Sequence, residues 1–137
     1  MPSLPDDVRS LFDGANFAHI ATISPDGAPG SVPVWAGTEG DRIAFFTGES
    51  SRKARNLEAD PRLALSIVDF DNPYRMASVR GRVAEIVRGE PGLEIVDRIS
   101  HKYTGQPFPD RTMVAYLVEP ARATFTELPI EHTPPAR

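Results

Sequence analysis

Three consecutive pieces decide the fold: FAHIATI over Phe17–Ile23, SPDG over Ser24–Gly27, and SVPVW over Ser31–Trp35. The first and third carry the β-branched and aromatic residues that suit a pleated, half-buried surface. The Pro25-Asp26-Gly27 run between them is a turn signal, since proline presets its own φ and glycine reaches positive φ without steric cost. The three pieces read as a β-hairpin. Pro33 has no N–H to give a ladder, so its strand belongs at a sheet edge or carries an irregularity.

Upstream, Pro5–Ala15 places Val8, Leu11 and Phe12 at helical spacing, with Asp6 and Asp7 in the first turn where the helix dipole favours acids. Downstream, Thr38–Asp41 is a second turn and Arg42–Thr47 (RIAFFT) a buried-type strand. Ser50–Ala59 has helical composition and stops before Pro61. Leu63–Val68 reads as a strand, Asp71-Asn72-Pro73 as a turn, and Met76–Val87 as a long strand bent at Gly81. Pro91–Tyr103 aligns Leu93, Val96, Ile99 and Tyr103 on one helical stripe. Gly105–Pro109 is a proline-rich loop. Thr112–Val118 and Ala121–Thr126 read as two strands parted by Pro120, and 128–137 as a loosely held polar tail. The expectation is a mainly β chain of about seven antiparallel strands plus three short helices. Closure into a barrel with peripheral helices removes exposed edges. No repeat or second domain is evident over 1–137.

The bulk numbers set limits. A net charge of −4 and a pI near 5.3 lack the broad basic footprint of a nucleic-acid binder. With no cysteine, disulfides, thiolate zinc sites, iron–sulfur clusters and a cysteine nucleophile are all excluded. No apolar run approaches a membrane span, and Met1–Ser10 has no signal-peptide core. The expectation is a cytoplasmic protein.

The unusual chemistry lies in Phe45–Leu57 (FFTGESSRKARNL). Ser50 or Ser51 is a good N-cap for the helix that follows. The first turn of such a helix favours acids, yet Arg52, Lys53 and Arg55 crowd there. Each cation beside the positive dipole end costs from a few tenths to about 1 kcal/mol. Two readings stay open. One is a solvated basic helix face. The other is an anion site, where free N–H groups, hydroxyls and cations converge on one ligand.

Other candidates are weaker. His19, His101 and His132 lie far apart without metal-ligand spacing, so no metal site is expected; His19 suits a hydrogen-bonded core or interface position. No Gly-x-Ser-x-Gly, His-Glu-x-x-His or Walker-type loop occurs. Trp35 and Tyr74 suit packing or cofactor contact. No nucleophile or acid–base pair stands out, so the catalytic residues stay unassigned. Tyr74, Tyr103 and His101 are the candidates for supplying a proton. Any enzyme here would lean on a bound cofactor.

The order of these pieces carries a resemblance. Ile20–Pro29, Val32–Trp35, Phe46-Thr47, Ser51-Arg52-Lys53, Asn56-Leu57 and Asp60-Pro61-Arg62 together resemble the pyridoxamine 5'-phosphate oxidase-like superfamily. Asn72–Arg75 (NPYR), Val79–Arg82 (VRGR) and Lys102–Gly105 (KYTG) are similar to one branch of it, the actinobacterial oxidoreductases that use the deazaflavin coenzyme F420. The resemblance spans roughly Phe17 to Pro120. It implies an FMN-binding-type split β-barrel, a homodimer with cofactor sites at the subunit interface, and no nucleic-acid or membrane partner. It implies a phosphate contact at Ser51, Arg52 and Lys53, with Thr47 and Asn56 beside it, and Ser50, Arg55 and Phe46 are expected among the cofactor-binding residues. The backbone of Val32, Pro33, Val34 and Trp35 would lie against the cofactor ring, and Tyr74 and Met76 would reach it across the interface.

True pyridoxamine 5'-phosphate oxidases of this superfamily are longer and carry a C-terminal arginine-rich substrate motif. Here Thr126-Glu127-Leu128-Pro129 leads to no such element, so oxidation of pyridoxamine phosphate is not expected. The expected activity is hydride transfer from reduced coenzyme F420 to an electrophilic, conjugated small molecule. The alternatives are an FMN-dependent reductase on the same fold and a non-catalytic protein that binds a flavin, deazaflavin or tetrapyrrole. The run Ser51-Arg52-Lys53 suits FMN as well as F420.

Overall fold

Along the chain the elements are α1 (Asp6–Asp13), β1 (Ala18–Ile23), β2 (Pro29–Val34), β3 (Ala36–Glu39), β4 (Arg42–Thr47), α2 (Arg52–Ala59), β5 (Arg62–Val68), β6 (Arg75–Val87), α3 (Gly89–Thr104) and β7 (Val114–Glu127). This is a computed structural model, and it describes residues 3–135. All strands form one antiparallel sheet in the order β2-β1-β5-β6-β7-β4-β3. The two edge strands, β2 and β3, are consecutive in the chain and separated only by Trp35. A sheet whose opposite edges are one residue apart has to curl on itself, and the result is a split β-barrel with its seam at Trp35.

Alternation decides which faces point inward. Ala18, Ile20, Leu65, Ile67, Val79, Phe45 and Val118 are all buried inside the curl. Phe45 and Tyr116 are register partners on β4 and β7, and their rings stack with centroids 5.1 Å apart. Helix α1 plugs the barrel with Val8, Leu11 and Phe12, each at most 1% exposed. Helix α3 covers the opposite face of β4 and β7, burying Ile95, Val96 and Ile99 against Ala44, Ala115 and Leu117. Because β4 is covered on both faces it reads as a continuous apolar run.

The expected barrel and strand number hold, with two differences of detail. A short strand, β3, occupies part of the segment read as a turn. Its Ala-Gly-Thr-Glu composition is poor in strand formers, and pairing with β4 outweighs it. In the other direction, the two strands expected around Pro120 are one strand, β7. Arg80 pairs with Arg122 and Gly81 with Pro120, so Ala121 is the extra residue of a bulge, where a missing N–H is tolerated. Gly81 is required there: a Cβ on it would lie 2.4 Å from the Glu119 carbonyl oxygen. Pro33 lies on the sheet edge as expected. The tail is tied down as far as His132, with the Leu128 N–H donating to the Tyr74 carbonyl at 3.0 Å and the His132 ring edge-on to Tyr74.

Candidate functional site

Helix α2 starts beside the last residue of β4, and one serine joins them. The Ser51 Oγ accepts from the Ala54 N–H at 3.2 Å, as an N-cap does, and from the Thr47 hydroxyl at 3.0 Å. With both incoming bonds made, the Ser51 O–H is left to donate outward. The first turn of α2 holds no acid, whereas α1 has Asp6 and Asp7 and α3 has Glu90 in theirs. Among the described residues, none of Arg52, Lys53 and Arg55 forms an ion pair. Lys53 is half-buried, and burial alone pulls its ammonium below the ordinary lysine pKa. A half-buried cation without a counter-ion, beside a helix N-terminus, is a charge arrangement that an anion would complete.

A cleft of about 710 Å³ opens from this point along the barrel seam. Thr47, Gly48, Ser50, Ser51 and Lys53 give it a polar, cationic lining, and Phe17, Pro33, Val34, Trp35, Phe46, Phe108 and Met113 an apolar, largely aromatic one. The cleft thus combines a cationic patch with an aromatic wall. Trp35 lies edge-on to Phe46 and Phe108, with centroids 6.1 and 5.9 Å apart. On the far side of Lys53 a smaller hollow of about 110 Å³ is lined by Val32, Arg52, Lys53 and Asn56 together with Ile20, Thr22, Gly30 and Ser31.

Of the residues singled out in the sequence, Pro33, Val34, Trp35, Phe46, Thr47, Ser50, Ser51 and Lys53 meet in the cleft, and Val32, Arg52 and Asn56 in the hollow behind it. Arg55 is exposed on α2 and lines neither. The Asn56 amide is already used inside the protein, donating to the Thr22 hydroxyl at 3.0 Å. Tyr74 and Met76 stand outside the cleft of their own chain, Tyr74 against His132 and Met76 in a separate hollow with His19 and Ser66.

One expectation needs correction in part: His19 is not a core residue of its own chain but is exposed on β1, beside Met76. His101 is exposed on α3 and does not line the cleft. The Tyr103 hydroxyl is committed to structure, donating to the Asn16 carbonyl and accepting from the Ala36 N–H at 3.2 Å. Burial pushes its pKa up, and in this chain its hydroxyl clamps the Asn16 and Ala36 backbone.

Sequence reasoning missed four lining residues: Phe17, Gly48, Phe108 and Met113. Phe17, 44% exposed just before β1, is an aromatic on the outward phase of the alternation. Phe108 and Met113 flank a loop whose course follows from the Asp97 carboxylate. That group accepts from Arg111 at 2.8 and 3.0 Å and from the Phe108 N–H at 3.2 Å, and no local motif signals such a tie. Lys102 was read only as part of a motif. Its ammonium donates to the Phe12 and Ala36 carbonyls, and burial lowers its pKa to about 8.

Among the described residues there is no group of three or more potential metal ligands, and no helix is long and apolar enough to cross a membrane.

Residues 4–126 match the family model of pyridoxamine 5'-phosphate oxidase. A pyridoxine/pyridoxamine 5'-phosphate oxidase of Kineococcus radiotolerans is 32% identical over 75 residues, which are 55% of this chain and 33% of that protein. The chain spans about a third to two fifths of the length of the curated relatives it matches. Among solved structures, an F420 reductase is 32% identical with a TM-score of 0.77, over 88% of this chain and 98% of that one. A conserved hypothetical protein from Mycobacterium tuberculosis shares the fold at 23% identity, with a TM-score of 0.78 over 99% of this chain and 95% of that one. With nine-tenths of its residues inside the family model and a solved F420 reductase matched almost end to end, the chain belongs to the pyridoxamine 5'-phosphate oxidase family of split β-barrels, in the branch that includes that reductase.

Proposed function

We propose that this protein is an oxidoreductase that holds coenzyme F420 in the seam cleft by its phosphate and uses it to reduce an electrophilic, conjugated small molecule. The observation that carries this reading is the pairing in one cleft of unpaired Lys53, Ser50 and Ser51 with Trp35, Phe46 and Phe108. An anion with a flat aromatic body matches both. The bound cofactor supplies the hydride.

The chain's own residues bind, orient and exclude water. Lys53, the Ser51 O–H and the first amides of α2 take the phosphate. The backbone of Pro33–Trp35 and the Phe46 ring lie along the planar group, and Phe108 and Met113 bound the space left for substrate. Placing both reactants in one apolar slot is the entropic part of catalysis. The aromatic lining of one chain offers no titratable side chain, so the product's proton comes from solvent or from Tyr74 of a second copy. Tyr74 and Met76 face away from their own cleft and reach a cofactor only from a second copy, which supports a homodimer.

The 32% identity to an F420 reductase over nearly its whole length favours the deazaflavin over FMN. Fluorescence titration of the purified protein with each cofactor, followed by turnover with reduced F420 and a panel of conjugated acceptors, tests it. F420 is expected to bind more tightly and to be consumed only when an acceptor is present. FMN binding about tenfold tighter, a difference of about 1.4 kcal/mol, overturns the assignment.

A further inference from the structure

Most arginines of the described chain pair with a carboxylate. Five do not: Arg52 and Arg55 are carried by α2, and the other three, Arg80, Arg82 and Arg122, gather on β6 and β7. Arg80 and Arg122 are direct register partners on β6 and β7. Like charges directly opposite on adjacent strands repel, and natural sheets place opposite charges at such positions instead. Both side chains are exposed, and neither guanidinium pairs with a carboxylate within the described residues.

Two of these arginines, Arg80 and Arg82, border a cavity of about 560 Å³ whose walls are mainly apolar, made by Ile23, Pro29, Leu63, Ala64 and Ala121, and Arg122 stands beside it as the cross-strand partner of Arg80. Arg80 and Arg82 stand on its rim. So does Arg62, which is already held by the Asp60 carboxylate at 2.7 Å. The hollow owes its shape to the β6–β7 bulge: Ala121 is the unpaired residue, and Gly81, which admits no side chain, lies between the two rim arginines. Bulges re-aim neighbouring side chains in this way. The cavity shares no lining residue with the seam cleft.

We propose that this cavity is a second binding site, for an amphipathic anion: a carboxylate or phosphate head bridged by Arg80 and Arg122, with an apolar body against Ile23, Leu63 and Ala64. An anionic head turns the repelling pair into a bridged one, since guanidinium forks bind planar oxyanions by paired hydrogen bonds. The apolar walls select against a small hydrated anion. The site does not depend on the cofactor reading, because no residue is common to both.

Calorimetric titration of the whole protein with decanoate, decanol and inorganic phosphate tests it. Decanoate is expected to bind one per chain, with decanol and inorganic phosphate each weaker by about tenfold or more, each lacking one half of the recognised chemistry. Arg80→Ser with Arg122→Ser should weaken decanoate by about ten- to a hundredfold. Arg122→Glu guards against a misfolded variant: it replaces repulsion with a cross-strand ion pair, so it should raise the melting temperature and still abolish decanoate binding. Equal affinity for decanol and decanoate, or decanoate affinity unchanged in Arg122→Glu, overturns the proposal. So does a Arg122→Glu protein that sediments as a monomer where the parent is a dimer, which would assign these arginines to a second copy instead.

Discussion

The indole of Trp35 lies flat on the phenol ring of Tyr103, with centroids 5.2 Å apart and planes 9° from parallel. Trp35 is the single residue between the two edge strands, and the Tyr103 hydroxyl holds the next residue, Ala36, by its N–H. One side chain of α3 therefore fixes both the ring and the backbone of the barrel seam, and with them the aromatic wall of the cleft.

This relationship separates stacking from hydrogen bonding. Tyr103→Phe keeps the stack and loses the bonds to Asn16 and Ala36, leaving partly buried backbone groups unpaired. It should cost about 1–3 kcal/mol of stability and leave Trp35 emission unchanged in wavelength. Tyr103→Ala should also expose Trp35 and shift its emission to the red. Because the chain has one tryptophan, fluorescence reports on this position alone. A red shift in Tyr103→Phe would show that the hydroxyl, not the ring, sets the seam.

The Asp97–Arg111 pair makes the second prediction. The hydrogen bonds from Arg111 hold the Asp97 carboxyl below its ordinary pKa. A carboxyl depressed in the fold contributes stability that is present above its unfolded value, about 4, and is lost as pH falls through the folded value. The loop carrying Phe108 should thus stay in place across neutral and mildly acidic pH and release only in strong acid. Asp97→Asn should release it at neutral pH, weakening cofactor binding and shifting Trp35 emission to the red as Phe108 leaves the indole. A wild-type Trp35 signal that changes between about pH 5 and 8 would point to another group.

Much of the barrel was legible because alternation and turns are local. The Phe17–Trp35 hairpin, the edge position of Pro33 and the bend at Gly81 all follow from single residues whose backbone chemistry is restrictive. The run Arg52–Arg55 marked the site because its charges oppose the helix dipole, and a local conflict of that kind points to a ligand. What was hidden depends on distance. Strand β3 forms because β4 offers it a partner, and Pro120 stays within β7 because Gly81 faces it. Phe108 joins the cleft through Asp97, eleven residues earlier, and Lys102 reaches the Phe12 carbonyl across ninety. Neither tie leaves a local pattern.

A third prediction concerns the bulge. Gly81→Ala would put a Cβ 2.4 Å from the Glu119 carbonyl oxygen, which is backbone and cannot swing aside. The strands must part or the register must slip. The expected loss is about 1–3 kcal/mol, read as a lower urea midpoint with an unchanged slope. A variant as stable as the parent would mean that the bulge relaxes freely.

The last prediction tests the phosphate site through charge. Lys53 has no carboxylate partner among the described residues, is half-buried, and stands in the first turn of α2. Burial depresses its pKa in the free protein. A phosphate beside it reverses the sign, because an opposite charge favours the ammonium. Nitrogen NMR of Lys53 should therefore show a pKa below the ordinary value without cofactor and a rise on binding. Lys53→Ala should weaken binding by about 1.5–3 kcal/mol, the contribution of a charge-assisted hydrogen bond, or roughly ten- to a hundredfold. The same change should leave the free protein as stable or slightly more so, since it removes a cation from the positive end of the helix. If Lys53 served the fold instead, melting temperature would fall and affinity would hold. Measuring both on the one variant, with Lys53→Arg expected to restore part of the affinity because its charge is kept, decides between a binding cation and a structural one.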